Sequence, residues 1–246
     1  MSVRSVAIET NDGVCPASLL NPREGTFPAV IFFMDAPGIR PTLVEMAHRL
    51  ASHGYVVLLP DLFYRAGPYD PVEPAALFAD PEKRAQFAKF YTSTSLAKAR
   101  ADTAAFLSFF DAQPAVKGSK VGCVGYCMGG GMALTAAGAY PDRVVAAASF
   151  HGGRLATGHA ESPHLLAPKM RGRIYVACAE NDPSFPEDQR ILLEQSLTDA
   201  GVRHVIETYA GARHGFAVPD NPSYDPGAAE RHWTSLLKLF REMLEP

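Results

Sequence analysis

The stretch Gly122-Cys-Val-Gly-Tyr-Cys-Met-Gly-Gly-Gly131 reads as the end of a buried strand, a cysteine with a glycine two residues away on either side, and the glycine-rich start of a helix. A side chain on a sharp strand-to-helix turn is lifted off the sheet, and residues lacking a Cβ at −2 and +2 let the backbone pass close to itself there. The helix that follows aims unpaired N–H groups and the positive end of its dipole at the same point. Such a setting stabilises a thiolate and presents the Met128 amide to an oxyanion. Cys127 is therefore read as a nucleophile. The alternative, a buried thiol acting as a small core hydrophobe, is the reading adopted for Cys15, Cys123 and Cys178. A phosphate loop is disfavoured, because the segment has neither the Walker lysine nor the spaced glycines of a dinucleotide fingerprint.

Outward from this turn, continuous apolar runs at 28–34, 55–59, 120–125, 143–150, 173–179 and 204–209 suit strands covered on both faces. Between them Leu43, Met46, Ala47 and Leu50 recur at helical spacing, as do Leu96, Ala99, Thr103, Phe106, Leu107 and Phe110. Trp233, Leu236, Leu237, Phe240 and Leu244 form the clearest stripe. Strands alternating with helices predict an α/β fold with a mostly parallel central sheet and helices on both faces, because a parallel crossover needs a long connection. Segments 3–8 and 16–20 read as an antiparallel edge hairpin. One domain spanning 1–246 accounts for the whole length. The longest break, about 61–94, is rich in Pro, Asp and aromatic residues and reads as a lid, a binding loop or a small helical insertion. Tyr64, Arg65, Tyr69, Phe78, Phe87 and Tyr91 are its candidates for shaping a pocket.

Composition narrows the partners. Lys and Arg (23) nearly balance Asp and Glu (26), so no broad cationic surface is available to track a nucleic-acid backbone. No run approaches the roughly 18 to 20 apolar residues of a membrane helix, and the first residues lack a continuous apolar segment before a small-residue cleavage site. A cytoplasmic protein is the expectation. Four cysteines are too few for a disulfide framework, and Cys123 and Cys127 are separated by three residues rather than the two of a redox pair.

A thiolate needs a base and a group to orient that base. After the run at 173–179 comes Glu180-Asn-Asp182, and after the run at 204–209 comes Arg213-His214-Gly-Phe216. The chain order is nucleophile, acid, histidine, as in sheet hydrolases, and ligands outside the carboxyl ends of parallel strands meet all three. Asp182 and His214 are the candidates, with Glu180 a rival acid. His151 ends the run at 143–150 and is a candidate for lining the site. A metal centre on Cys127, Asp182 and His214 is chemically conceivable, but the glycine pattern explains the spacing better, so neither metal nor cofactor is expected.

With Phe32-Phe-Met-Asp-Ala-Pro-Gly38, Pro60-Asp-Leu-Phe-Tyr-Arg65, the Gly125-x-Cys-x-Gly129 turn, Glu180-Asn-Asp182 and His214-Gly-Phe216 in view, the chain resembles the dienelactone hydrolase family of the α/β-hydrolase fold over nearly its full length. The resemblance implies that Cys127 attacks an ester or lactone carbonyl, that His214 moves protons and that Asp182 orients it. It further implies a second oxyanion donor at the Ala36 amide and a thiol-gating acid at Asp35, where the family usually has glutamate. Asp35 is one methylene shorter, and a loop cap is its other reading. The family holds a substrate carboxylate with arginines, one of them four residues beyond the histidine, where this chain has Val218. Arg65, Arg84 and Arg213 are the candidates to compensate. Phe216 and Tyr91 complete the expected pocket. The expected partner is a small ester or enol-lactone, the expected state a monomer, and the rival functions are a general carboxylesterase or thioesterase, a non-catalytic binding protein and a redox thiol protein.

Overall fold

In a computed structural model of the protein, residues 2–245 are described. The apolar runs are strands β3 (Phe27–Phe33), β4 (Val56–Pro60), β5 (Val116–Tyr126), β6 (Val144–Phe150), β7 (Arg173–Ala179) and β8 (His204–Tyr209). They are preceded by the hairpin β1 (Ser2–Thr10) and β2 (Gly13–Asn21). All eight join one sheet in the order β1-β2-β4-β3-β5-β6-β7-β8. The hairpin is antiparallel and β2 runs antiparallel to β4, while every pairing from β4 to β8 is parallel. Strand β5 starts four residues before its apolar run. Its first part, from 117 to 120, is exposed, so no hydrophobic signal marks it.

Helices α1 (Pro41–Ser52), α2 (Pro74–Ala79), α3 (Pro81–Ser93), α4 (Leu96–Asp111), α5 (Met128–Ala139), α6 (Glu187–Asp199) and α7 (Pro226–Leu244) complete the chain with 3-10 turns at Tyr64–Ala66 and Pro163–Lys169. A Cβ on Gly122 would strike Phe240 and Leu244 of α7, and one on Gly125 would strike the backbone of α5. Residues three apart on a strand point to opposite faces, so α7 and α5 cover opposite sides of β5. Helix α1 shares the α7 side, where Arg49 pairs with Glu230 and lies over the Trp233 ring. Helix α4 packs with α5 on the other. Helix α5 is small and apolar on nearly every face and is buried from Gly129 to Gly138, as a central helix must be. Helix α6 carried little sequence signal because only Leu193 and Leu197 are buried along it.

The segment 61–94 holds the short helices α2 and α3. Asp80 caps α3 by accepting from the Glu82 N–H (2.8 Å), with Pro81 opening the helix. Phe63, Tyr69, Phe87 and Phe90 form an aromatic cluster with ring centroids 5.0–6.4 Å apart. The Tyr69 hydroxyl donates to Asp61 (3.1 Å) and accepts the Ile39 N–H (2.7 Å), which fastens this segment to the loop after β3. Among the described residues no helix is long and apolar enough to cross a membrane.

Candidate active site

Cys127 sits between β5 and α5 with φ 53° and ψ −117°. A non-glycine residue there is strained by on the order of 1–3 kcal/mol, and the surroundings enforce it. A Cβ on Gly125 would lie 1.9 Å from the Gly129 carbonyl oxygen, and one on Gly129 would lie 2.4 Å from the Phe33 oxygen. Those near-collisions show the end of β3 running against the first turn of α5. The residues after it, Asp35 to Gly38, form a turn closed by the Gly38 N–H donating to the Asp35 carbonyl (3.1 Å). The Ala36 N–H is not used by such a turn, and the Met128 N–H, at the first position of α5, has no intrahelical acceptor.

The other two groups arrive from the ends of β7 and β8. The Asp182 carboxylate is buried, and its Oδ2 lies 2.6 Å from His214 Nδ1. Its Oδ1 accepts from the Ser184 N–H (2.9 Å) and hydroxyl (2.6 Å). Burial works against this carboxylate, but the bonds from His214 and Ser184 outweigh it and hold its pKa below the ordinary carboxylate value. Glu180, the rival acid, is occupied elsewhere, accepting the Gly211 N–H at 2.9 Å. With Nδ1 turned to Asp182, the other face of the His214 ring is left for Cys127. Burial opposes charge on His214, yet the bond to Asp182, with Cys127 as the second neighbour that favours the cation, holds its pKa up to about 10.

Beside the N-terminal turn of α5 lies a cavity of about 620 Å³, with Tyr91, Leu96, Met128, Met132, Arg154 and Ser162 on its walls. Partial burial raises the Tyr91 phenol pKa, and Tyr91 and Arg154 share the cavity wall. Arg154 has φ 57° and forms no ion pair among the described residues. His151 is buried with φ 40°, its ring edge-on to His214 and Phe216 at 5.2 Å each. Desolvation and the neighbouring His214 keep it well below the ordinary histidine pKa, so it is a neutral wall behind the charged ring.

Several expected pocket residues stand elsewhere. Asp35, expected at the thiol, is turned to Arg40 instead: both its oxygens accept from the guanidinium (2.6 and 2.9 Å), because a carboxylate this buried needs a full partner. Arg65 is spent on Asp102 and Asp12, and the Tyr64 hydroxyl on Asp102 and Thr10, so both fasten the edge hairpin rather than line a pocket. Arg84 donates to the Phe78 carbonyl at the surface, and Arg213 is exposed outside the cavity wall. Phe216 is buried in the core, stacked on Tyr209 at 5.0 Å. Ser184, Arg154 and Arg40 were not anticipated. Ser184 had a faint signal, since a residue two beyond an aspartate commonly closes an Asx turn. Among the described residues no group of three or more His, Cys, Asp or Glu side chains is placed to hold a metal ion.

A parallel sheet carrying a strained turn residue at β5, an acid after β7 and a histidine after β8 defines an α/β-hydrolase. Within that class the chain belongs to the dienelactone hydrolase family, whose description matches residues 15–244, and it is a hydrolase of ester or lactone bonds. It is 31% identical over 226 residues to a putative carboxymethylenebutenolidase of Synechocystis, covering 90% of this chain and 88% of that one. To the carboxymethylenebutenolidase of Pseudomonas putida it is 26% identical over 231 residues, covering 93% and 92%. The crystal structure of a putative dienelactone hydrolase from Klebsiella pneumoniae shares the fold, with a TM-score of 0.81 at 22% identity and coverage of 97% and 98%.

Proposed function

We propose that the protein hydrolyses a small ester or enol-lactone through a Cys127 thioester. The observation that carries this reading is the Asp182–His214 bond beside a cysteine held in a strained backbone geometry at a helix start, a cysteine that also raises the pKa of the imidazole. Cys127 reacts as a thiolate, its proton having passed to His214. The sulfur attacks the carbonyl carbon, and the Met128 and Ala36 amides donate to the resulting oxyanion, each worth about 3 kcal/mol in comparable hydrolases. When the tetrahedral adduct collapses, the C–O bond breaks and the leaving oxygen takes the proton from His214. Acylation removes the thiolate charge that had held this proton, so the step that needs an acid also lowers the acid's pKa. The neutral ring then accepts a proton from water, whose oxygen attacks the thioester. The C–S bond breaks and the thiolate–imidazolium pair returns. A lactone follows the same path, with its leaving oxygen tethered in the product.

The cavity beside Met128 takes the remainder of the substrate, and Arg154 offers an unpaired cation to an anionic substituent. A broader carboxylesterase or thioesterase is the second reading. It is favoured by Val218, which is fully buried at the place where the resemblance puts a carboxylate-binding arginine. Turnover of cis- and trans-dienelactones against neutral aryl esters separates the two, with the lactones preferred at least tenfold in kcat/KM under the first reading. On either substrate Cys127→Ala lowers kcat by about 10⁴-fold or more with an unchanged circular dichroism spectrum. A rate kept within tenfold overturns the nucleophile assignment.

A further inference from the structure

Arg40 stands two residues beyond the turn that carries the Ala36 amide, and its side chain is 3% exposed. All five of its guanidinium hydrogens are used. Nη1 donates to Asp35 Oδ1 (2.6 Å) and to the Gly38 carbonyl (3.0 Å), and Nη2 to Asp35 Oδ2 (2.9 Å) and Asp220 Oδ1 (2.8 Å). Nε donates to Asp220 Oδ2 (2.7 Å). The cation therefore grips both ends of the Asp35–Gly38 turn, one by its side chain and one by its carbonyl, with Ala36 between them. Asp220 belongs to a different loop. It lies six residues after His214, on a segment kept compact by the Val218 N–H donating to Gly215 (3.1 Å) and the Asn221 N–H to Val218 (2.9 Å).

We infer that Arg40 is a positioning residue that fixes the Ala36 oxyanion donor against the histidine-bearing loop, and that Asp35 serves as its anchor rather than as an acid at the thiol. The inference rests on the proposed roles of Cys127 and Ala36. A buried guanidinium shared by two carboxylates is costly to desolvate and holds only with complete pairing, which makes it a rigid link between two loops from distant parts of the chain. Lysine keeps the charge but cannot meet two carboxylates and a carbonyl with planar, bidentate geometry. A donor displaced by a fraction of an ångström loses its hold on the transition state more than on the substrate.

The test compares Arg40→Lys with the parent enzyme on one aryl ester and, separately, in alkylation of Cys127 by iodoacetamide, a reaction that forms no oxyanion. The expected result is a kcat about 10- to 100-fold lower, a KM within about threefold and an alkylation rate within about twofold across pH 6–9. Turnover within twofold of the parent, or turnover and alkylation falling in equal proportion, overturns the proposal. Should Arg40→Lys fail to fold, Asp35→Asn, which keeps the shape and loses one charge, decides by the same two readouts. A wild-type enzyme that stays active after complete alkylation of Cys127 refutes the thioester reading instead, so the two failures are distinguishable.

Discussion

His214 faces two demands that pull its proton in opposite directions. Burial favours the neutral ring, while Asp182 on one side and Cys127 on the other favour the cation and win, placing the pKa at about 10 against an ordinary 6.5. Part of that support comes from a group that loses its charge on acylation. Capping the thiol with iodoacetamide, or replacing it in Cys127→Ala, is therefore expected to move the His214 titration downward from about 10 toward 6.5, followed by nitrogen-15 chemical shifts of the ring. A midpoint that stays near 10 without the thiol would assign the whole shift to Asp182. At this scale the sequence was informative where chemistry has a local signature. Cys127 is flanked by the glycines its turn needs, and Asp182 and His214 follow strand ends in the expected order. It was silent on Arg40, whose partner Asp220 is 180 residues away. It misdirected the reading of Arg65 and Tyr64, because an arginine or tyrosine in a loop looks the same whether it meets a ligand or a buried Asp102.

Helix α5 and the end of β3 are placed by close backbone approach, and that makes element-scale effects separable from chemistry. Gly129→Ala sets a Cβ 2.4 Å from the Phe33 oxygen and 2.6 Å from the Met34 oxygen, where neither backbone atom can swing aside. It is expected to destabilise the fold by about 1–3 kcal/mol and to lower kcat by displacing the loop that carries Ala36. Gly131→Ala, two residues further along the same helix, meets side chains alone: the flexible Leu96 at 3.3 Å, and Leu155 and Pro163 at an ordinary 3.7 Å. Alanine's better helix propensity, worth up to about 1 kcal/mol, should leave its thermal midpoint unchanged or raised. Calorimetry of the two variants gives the comparison, and equal losses would remove the steric argument. Most elements were legible because burial on both faces writes continuous apolar runs. Helix α6 and the first part of β5 were not, since both are largely solvated and little in their residue pattern distinguishes them from loops.

Across the molecule, Arg65 joins three separate parts: Asp12 in the edge hairpin, the start of the 61–94 segment and Asp102 on α4. The Asp102 side chain is 2% exposed, so Arg65→Met leaves a buried carboxylate without its cation, with only the Tyr64 hydroxyl still bonded to it, at a cost of about 3 kcal/mol. For a chain of this size that corresponds to a thermal midpoint lower by about 10 °C. Measured below that midpoint, KM should be unchanged, because the side chain faces the hairpin and not the cavity; a raised KM would return Arg65 to the substrate site. The same sheet that these ties hold together brings the ends of β5, β7 and β8 to one rim, and the central claim is that a covalent acyl-enzyme forms there on sulfur. Rapid quenching after mixing with an activated aryl ester, followed by peptide mass spectrometry, tests it most directly. The account predicts a burst of phenol approaching one equivalent per enzyme with the acyl mass on the peptide containing Cys127, whereas the same burst with Cys127 unmodified would contradict it.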